Sequence, residues 1–106
     1  MLFPMHLVQI LLPLDDNTGR PLPREPFEAT RAELIERFGG ITAHSGAPAE
    51  GVWQESSGSV LLDRIVVLEV QVAELDRAFW NDYRKTLEVR FRQKAILLRA
   101  LGCEAL

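Results

Sequence analysis

The run Ile65-Val66-Val67-Leu68-Glu69-Val70-Gln71-Val72 is the strongest strand signal in the chain. Branched aliphatics dominate it, no glycine or proline interrupts it, and it is too short for a stable helix of its own. Extended back to Val60, it reads as the central strand of a sheet. A chain of 106 residues, 47% hydrophobic and 25% charged, has the ordinary globular composition. It is sized for one core, so a single domain over 1–106 is expected.

The same composition excludes several partners. Twelve basic residues against fifteen acidic ones leave a net charge of −3, which disfavours nucleic acid and anionic membrane surfaces. One cysteine, Cys103, cannot form an internal disulfide, and no Cys/His spacing suits zinc. A reducing, cytoplasmic location is expected, with no metal and no cofactor. The apolar start, Met1 to Leu14, lacks a basic n-region and a small-residue cleavage site, and Pro4 and Pro13 interrupt it, so it belongs to the fold. No run reaches the roughly 18–20 apolar residues of a membrane span.

Around the central strand the other elements follow. Met5 to Leu12 is a short apolar run, read as strand 1. Pro13 to Glu25 is a long loop in which Asp15-Asp16-Asn17-Thr18-Gly19 is turn chemistry; the EF-hand spacing is missing, so the turn prevails over calcium. Pro26 suits the first turn of a helix whose apolar face is Phe27, Leu34, Ile35 and Phe38, and Gly39-Gly40 stops it. Ile41 to Ser45 and Val52 to Gln54 form a strand 2 split by the Gly46–Gly51 segment. Ser56-Ser57-Gly58-Ser59 reads as a hairpin turn into strand 3. Parity places Arg64 on the side of Val66 and Leu68, so an irregularity near Asp63 is expected. Ala73 to Gln93 reads as one helix of about five turns, with Phe79, Trp80, Tyr83, Leu87 and Phe91 on one stripe. Ala95 to Leu101 is strand 4, ended by Gly102.

The order β-α-β-β-α-β predicts an α+β, ferredoxin-like fold: a four-stranded antiparallel sheet in order 4-1-3-2 with two helices on one face. Alternation assigns Val8, Ile10, Leu12, Ile41, Ala43, Val66, Leu68, Val70, Val72, Ile96 and Leu98 to the helix face. The opposite face is mixed. It carries Leu7, Leu11, Ile65, Val67 and Leu97 beside Gln9, Thr42, His44, Glu69, Gln71 and Arg99. So much aliphatic surface needs a cover, and a second copy of the chain is the simplest one.

Three segments carry a resemblance: Arg37-Phe38-Gly39-Gly40-Ile41-Thr42-Ala43, Pro48-Ala49-Glu50-Gly51-Val52-Trp53, and Tyr83-Arg84-Lys85 with Arg90-Phe91-Arg92-Gln93. Over most of its length the chain resembles a family of uncharacterised small bacterial domains with a ferredoxin-like fold. In architecture it is similar to the dimeric α+β-barrel superfamily, in which two such units pack sheet to sheet. The resemblance implies a homodimer through the open face and transfers no active-site residue.

The candidate ligand pocket is therefore on the open face, with Gln9, His44, Glu69, Gln71 and Arg99 as its polar wall. A semi-enclosed apolar setting would shift the His44 and Glu69 pKa values toward proton-transfer chemistry. The plainer reading makes the same groups polar pairs in an interface, and it takes precedence. His44 joins Glu69 only if strand 2 pairs in the right register, which the break at Gly46 leaves open. Trp53 fits a pocket entrance or packing within the hairpin. The helix-2 aromatics read as core, and the cations from Arg84 to Arg99 as a solvated face. No nucleophilic arrangement is present, so no catalytic residue is assigned and enzyme activity is left open. Strands 1 and 3 offer no aromatic on the open face for base stacking, which argues against an RNA-recognition role. Two functions remain: a homodimer binding a small molecule on the open sheet face, or a structural or regulatory dimerisation domain with no catalytic activity.

Overall fold

The computed structural model describes residues 3–54 and 60–106, with side chains for 4–44 and 64–106. The elements are β1 (Phe3–Pro13), α1 (Glu25–Phe38), β2 (Thr42–Gln54), β3 (Val60–Val72), α2 (Arg77–Arg90) and β4 (Leu98–Ala105). The four strands form one antiparallel sheet in the order β2-β3-β1-β4, the expected α+β arrangement. Among the described residues no helix is long and apolar enough to cross a membrane. The proposed hairpin turn at Ser56–Ser59 and the side chain of Trp53 lie outside the described residues.

Strand parity builds the core. Val8, Ile10 and Leu12 of β1 stand opposite Val70, Leu68 and Val66 of β3, and all six are buried against the helices. α1 contributes Leu34, α2 contributes Trp80, Tyr83 and Leu87, and Phe91 and Ile96 close the layer. Of the aromatics read as core, Trp80, Tyr83 and Phe91 are buried and Phe79 is half-buried against them. Phe38 stacks on Trp80 with centroids 5.2 Å apart, and Phe27 meets Phe91 edge-on at 5.0 Å, geometries that aromatic pairs favour.

Helix ends differ from the sequence reading at α2. The expected start at Ala73 moves to Arg77 because the Asp76 side chain accepts the Phe79 N–H at 3.0 Å, making Asp76 the N-cap. At the other end, Arg92 takes a left-handed φ of 54°, and its N–H returns to the Val89 carbonyl. The helix therefore stops at Arg90 instead of Gln93. The Glu88 carboxylate accepts the Ile96 N–H at 3.1 Å, so 91–97 is a shaped connection, and β4 begins at Leu98 instead of Ala95. Gly102 does not end that strand; it pairs with His6 inside it. α1 ends as expected, with Gly39 left-handed at φ 82° and its N–H on the Ile35 carbonyl.

The expected irregularity at Asp63 lies instead in the partner strand. β3 is continuous, while the β2 register shifts between His44, opposite Val67, and Ala49, opposite Ile65. The charge of Arg64 is met by the loop after β1: its Nε and Nη2 donate to the two Asp15 carboxylate oxygens at 2.9 and 2.6 Å. In that loop one Asp16 oxygen accepts the Thr18 and Arg20 N–H groups, the Asx-turn chemistry read from the sequence.

Leu87 is fully buried and Val89, two residues on, is 80% exposed. Leu87→Ala should cost about 2–5 kcal/mol and Val89→Ala less than about 0.5 kcal/mol in urea denaturation. Equal losses would contradict this orientation of α2.

Candidate functional site

The face of the sheet away from the helices carries a hydrogen-bonded row that crosses all four strands. Its anchor is register: Gln9 of β1 lies directly opposite Glu69 of β3 and Arg99 of β4. The Gln9 amide donates through Nε2 to Glu69 Oε2 at 2.8 Å, and its Oε1 accepts from Arg99 Nε at 2.6 Å. This sets the amide's orientation, since the reverse would aim an oxygen at a carboxylate and an NH2 at a guanidinium. On the far side His44 Nε2 lies 2.8 Å from Glu69 Oε1. Thr42 is the residue directly opposite Glu69; His44 reaches it diagonally, a distance that a long side chain spans on a pleated surface.

Glu69 is held ionised. The Gln9 amide is the largest cause of its lowered pKa, the His44 hydrogen bond the second, and partial burial opposes both. An ionised carboxylate only accepts, so the His44 Nε2 carries the hydrogen. With its side chain 56% exposed against 18% for Glu69, His44 adds little to stability and forms the solvent-facing end of the row.

The structure thus brings together four of the five predicted residues: Gln9, His44, Glu69 and Arg99. Gln71, one alternation further along β3, faces the same way opposite Leu7 but does not join the row. It lines a hollow of about 470 Å³ with Leu7, Thr42, Glu69 and the Gly39-Gly40 turn. A second, more apolar hollow of about 310 Å³ lies beyond the other side of the row, against Leu11, Ile65 and Leu97. Leu101, opposite Leu7, extends the aliphatic surface; it shares the parity of Leu97 and Arg99 and is missing from the expected face.

Sequence reasoning also missed a cluster between the helices. Tyr83 donates its hydroxyl to Glu33 Oε2 at 2.8 Å, and Arg90 Nη1 donates to Glu33 Oε2 and to buried Thr30 Oγ1, each at 3.0 Å. Burial, reinforced by Glu33, pushes the Tyr83 phenol up, and Arg90 holds the Glu33 carboxyl below its ordinary value. The one signal was a Thr among apolar positions of helix 1. These contacts tie α1 to α2, and they are structural.

Comparison with known proteins bears on the fold. No family model matches the chain, and no curated protein does. Solved structures do. A phage SAM lyase in complex with S-methyl-5′-thioadenosine is similar with a TM-score of 0.60 at 15% identity, over 95% of this chain and 88% of that one. CutA1 from Oryza sativa is similar with a TM-score of 0.59 at 13% identity, over 97% and 83%. The phage SAM lyase in its apo state gives 0.59 at 12% identity, over 96% and 89%. At these identities the likeness defines a small α+β, ferredoxin-like fold and nothing finer.

Because the folded Glu69 pKa lies below its ordinary 4.5, its contribution to stability is full above that pH and is lost as pH falls through the folded value. Glu69→Gln should therefore cost about 1 kcal/mol at neutral pH, and the cost should vanish in acid. A difference from wild type that does not change with pH would contradict the ionised row.

Proposed function

We propose that residues 1–106 act as one cytoplasmic domain that pairs with a second copy through the open sheet face and holds a small molecule against that face. The observation that carries this reading is the row His44, Glu69, Gln9 and Arg99 set in aliphatic surface. Leu97 and Leu101 are 53% and 46% exposed there, and Leu7, Leu11, Ile65 and Val67 are half-buried. A contiguous patch of this kind is the ordinary mark of an interaction surface. A two-fold axis through the face sets the patch against itself, and the resemblance to the dimeric α+β-barrel superfamily supports sheet-to-sheet packing.

Gln9, His44, Glu69, Gln71 and Arg99 form the polar wall in this reading. Glu69 is the fixed acceptor and negative charge, Arg99 and Gln71 are donors, and His44 donates to Glu69 through Nε2. The ligand space in this reading is the hollow that Glu69 and Gln71 line, with Gln9, His44 and Arg99 continuing the wall across the sheet, and the covering copy excludes water from it. S-methyl-5′-thioadenosine, named with one of the fold neighbours, is a natural first probe.

One observation favours a second reading. Both Glu69 oxygens and both ends of the Gln9 amide already have partners, so the row satisfies itself without a ligand. A structural dimerisation domain with no catalytic activity needs no more than that.

Sedimentation at micromolar concentration should give a dimer for the wild type and a monomer for Val67→Asp, whose unpaired carboxylate would enter an apolar interface. A monomeric wild type contradicts the dimer. In a thermal-shift screen of small metabolites that includes S-methyl-5′-thioadenosine, a stabilising compound whose effect disappears in Glu69→Gln supports the pocket. A dimer that responds to none of them favours the structural reading.

A further inference from the structure

We propose that the crevice between α2 and β4, on the helix side of the sheet, binds a small organic oxyanion: a carboxylate or phosphomonoester on a compact apolar body. One wall is a stripe of α2. Arg77, Asn81 and Arg84 recur at intervals of four and three residues and share a helix face, with Trp80 beside them. The floor is apolar, made of Val8, Leu98 and Ala100.

The crevice exists because of one small residue. Val8 pairs with Val70 on one side and with Ala100 on the other, so all three turn toward the helices. A methyl group cannot fill under α2 what a branched side chain fills, and Ala100 stays exposed. The resulting space is about 230 Å³, below the roughly 300–1,000 Å³ of pockets for drug-sized ligands, so the occupant is small.

Charge selects its class. The chain has fifteen acidic and twelve basic residues, yet the charged residues of α2 that line the crevice are two arginines, Arg77 and Arg84, and no carboxylate lines it; Arg99 runs along it in β4 but turns its side chain to Gln9 on the open face. Glu88 engages Arg84 through Nη1 alone. Among the described residues, none of the ion pairs within 4.0 Å involves Arg77. Arg77 is also the first residue of α2, whose first turn holds no acid, and a cation at the positive end of a helix is unfavourable. The nearest carboxylate in sequence, the N-cap Asp76, accepts the Phe79 N–H through Oδ1 and does not line the crevice. An oxyanion between Arg77 and Arg84 adds negative charge at that helix end and matches the guanidinium fork, while Trp80 and the floor take the apolar body. The open face lies on the other side of the sheet, so this site and the proposed dimer pocket stand or fall separately.

The test is an NMR titration of the full chain with phenyl phosphate and with benzoate, benzyl alcohol serving as the neutral analogue. Saturable millimolar shifts of the Trp80 indole and of the Arg77 and Arg84 Nε signals are expected from the anions, and the tighter anion identifies the head group. Arg77→Gln and Arg84→Gln should each weaken binding about tenfold. Arg20→Gln, which removes an exposed charge from the β1–α1 loop, should leave it unchanged. If Arg84→Gln disturbs the fold, exposed Arg77 carries the test alone. Benzyl alcohol binding as tightly as the anions, shifts that do not saturate, or an equal loss in Arg20→Gln would overturn the proposal.

Discussion

Gln9 sits between Glu69 and Arg99 because β1 is paired on both sides in one register, and that register determines both faces of the sheet. The alternation that aims Gln9 at its two partners aims Val8, Ile10 and Leu12 into the helix layer. A slip of one residue would carry the aliphatic set to the open face and the polar row into the core. Burial of the aliphatic set, at about 25 cal/mol per Å² of apolar surface, holds the register; the row exploits a geometry that the core has already set.

The fold was legible where alternation and turn chemistry are strong. The Ile65–Val72 run, the Gly39-Gly40 stop and the apolar parity of strands 1 and 3 suffice for the topology. The ends of α2 were less legible, for two reasons. Asp76 is a standard capping residue, but no breaker precedes it, so apolar periodicity ran on past it. At the other end the left-handed residue is Arg92, where a glycine would have announced the stop. The start of β4 moved with it, and Gly102, usually a breaker, is tolerated on an edge strand where one neighbour suffices.

The candidate site was legible in part for the same reason. Gln9, Glu69 and Arg99 follow from parity and adjacency once strand order is known. His44 depended on a register that the sequence does not state: the β2 irregularity falls just after it, leaving Thr42 to His44 in line with β3. Gln71 shares the face but sits one step beyond the row. The Asp15–Arg64 pair and the Glu33–Tyr83–Arg90 cluster join residues far apart in the chain whose charges read, singly, as ordinary surface. Only the folded geometry assigns them partners.

A polar row in an aliphatic field is the feature that the proposed function rests on. Water on that face would leave the row weak and the leucines exposed; a second copy would exclude water from both. The most direct measurement is an isotope-filtered NOE experiment on a mixed sample of labelled and unlabelled chains. Intermolecular contacts among the methyl groups of Leu7, Leu11, Ile65 and Val67 are the result this account predicts. Intermolecular contacts confined to other surfaces, or none at all at concentrations where the chain is fully folded, would contradict it.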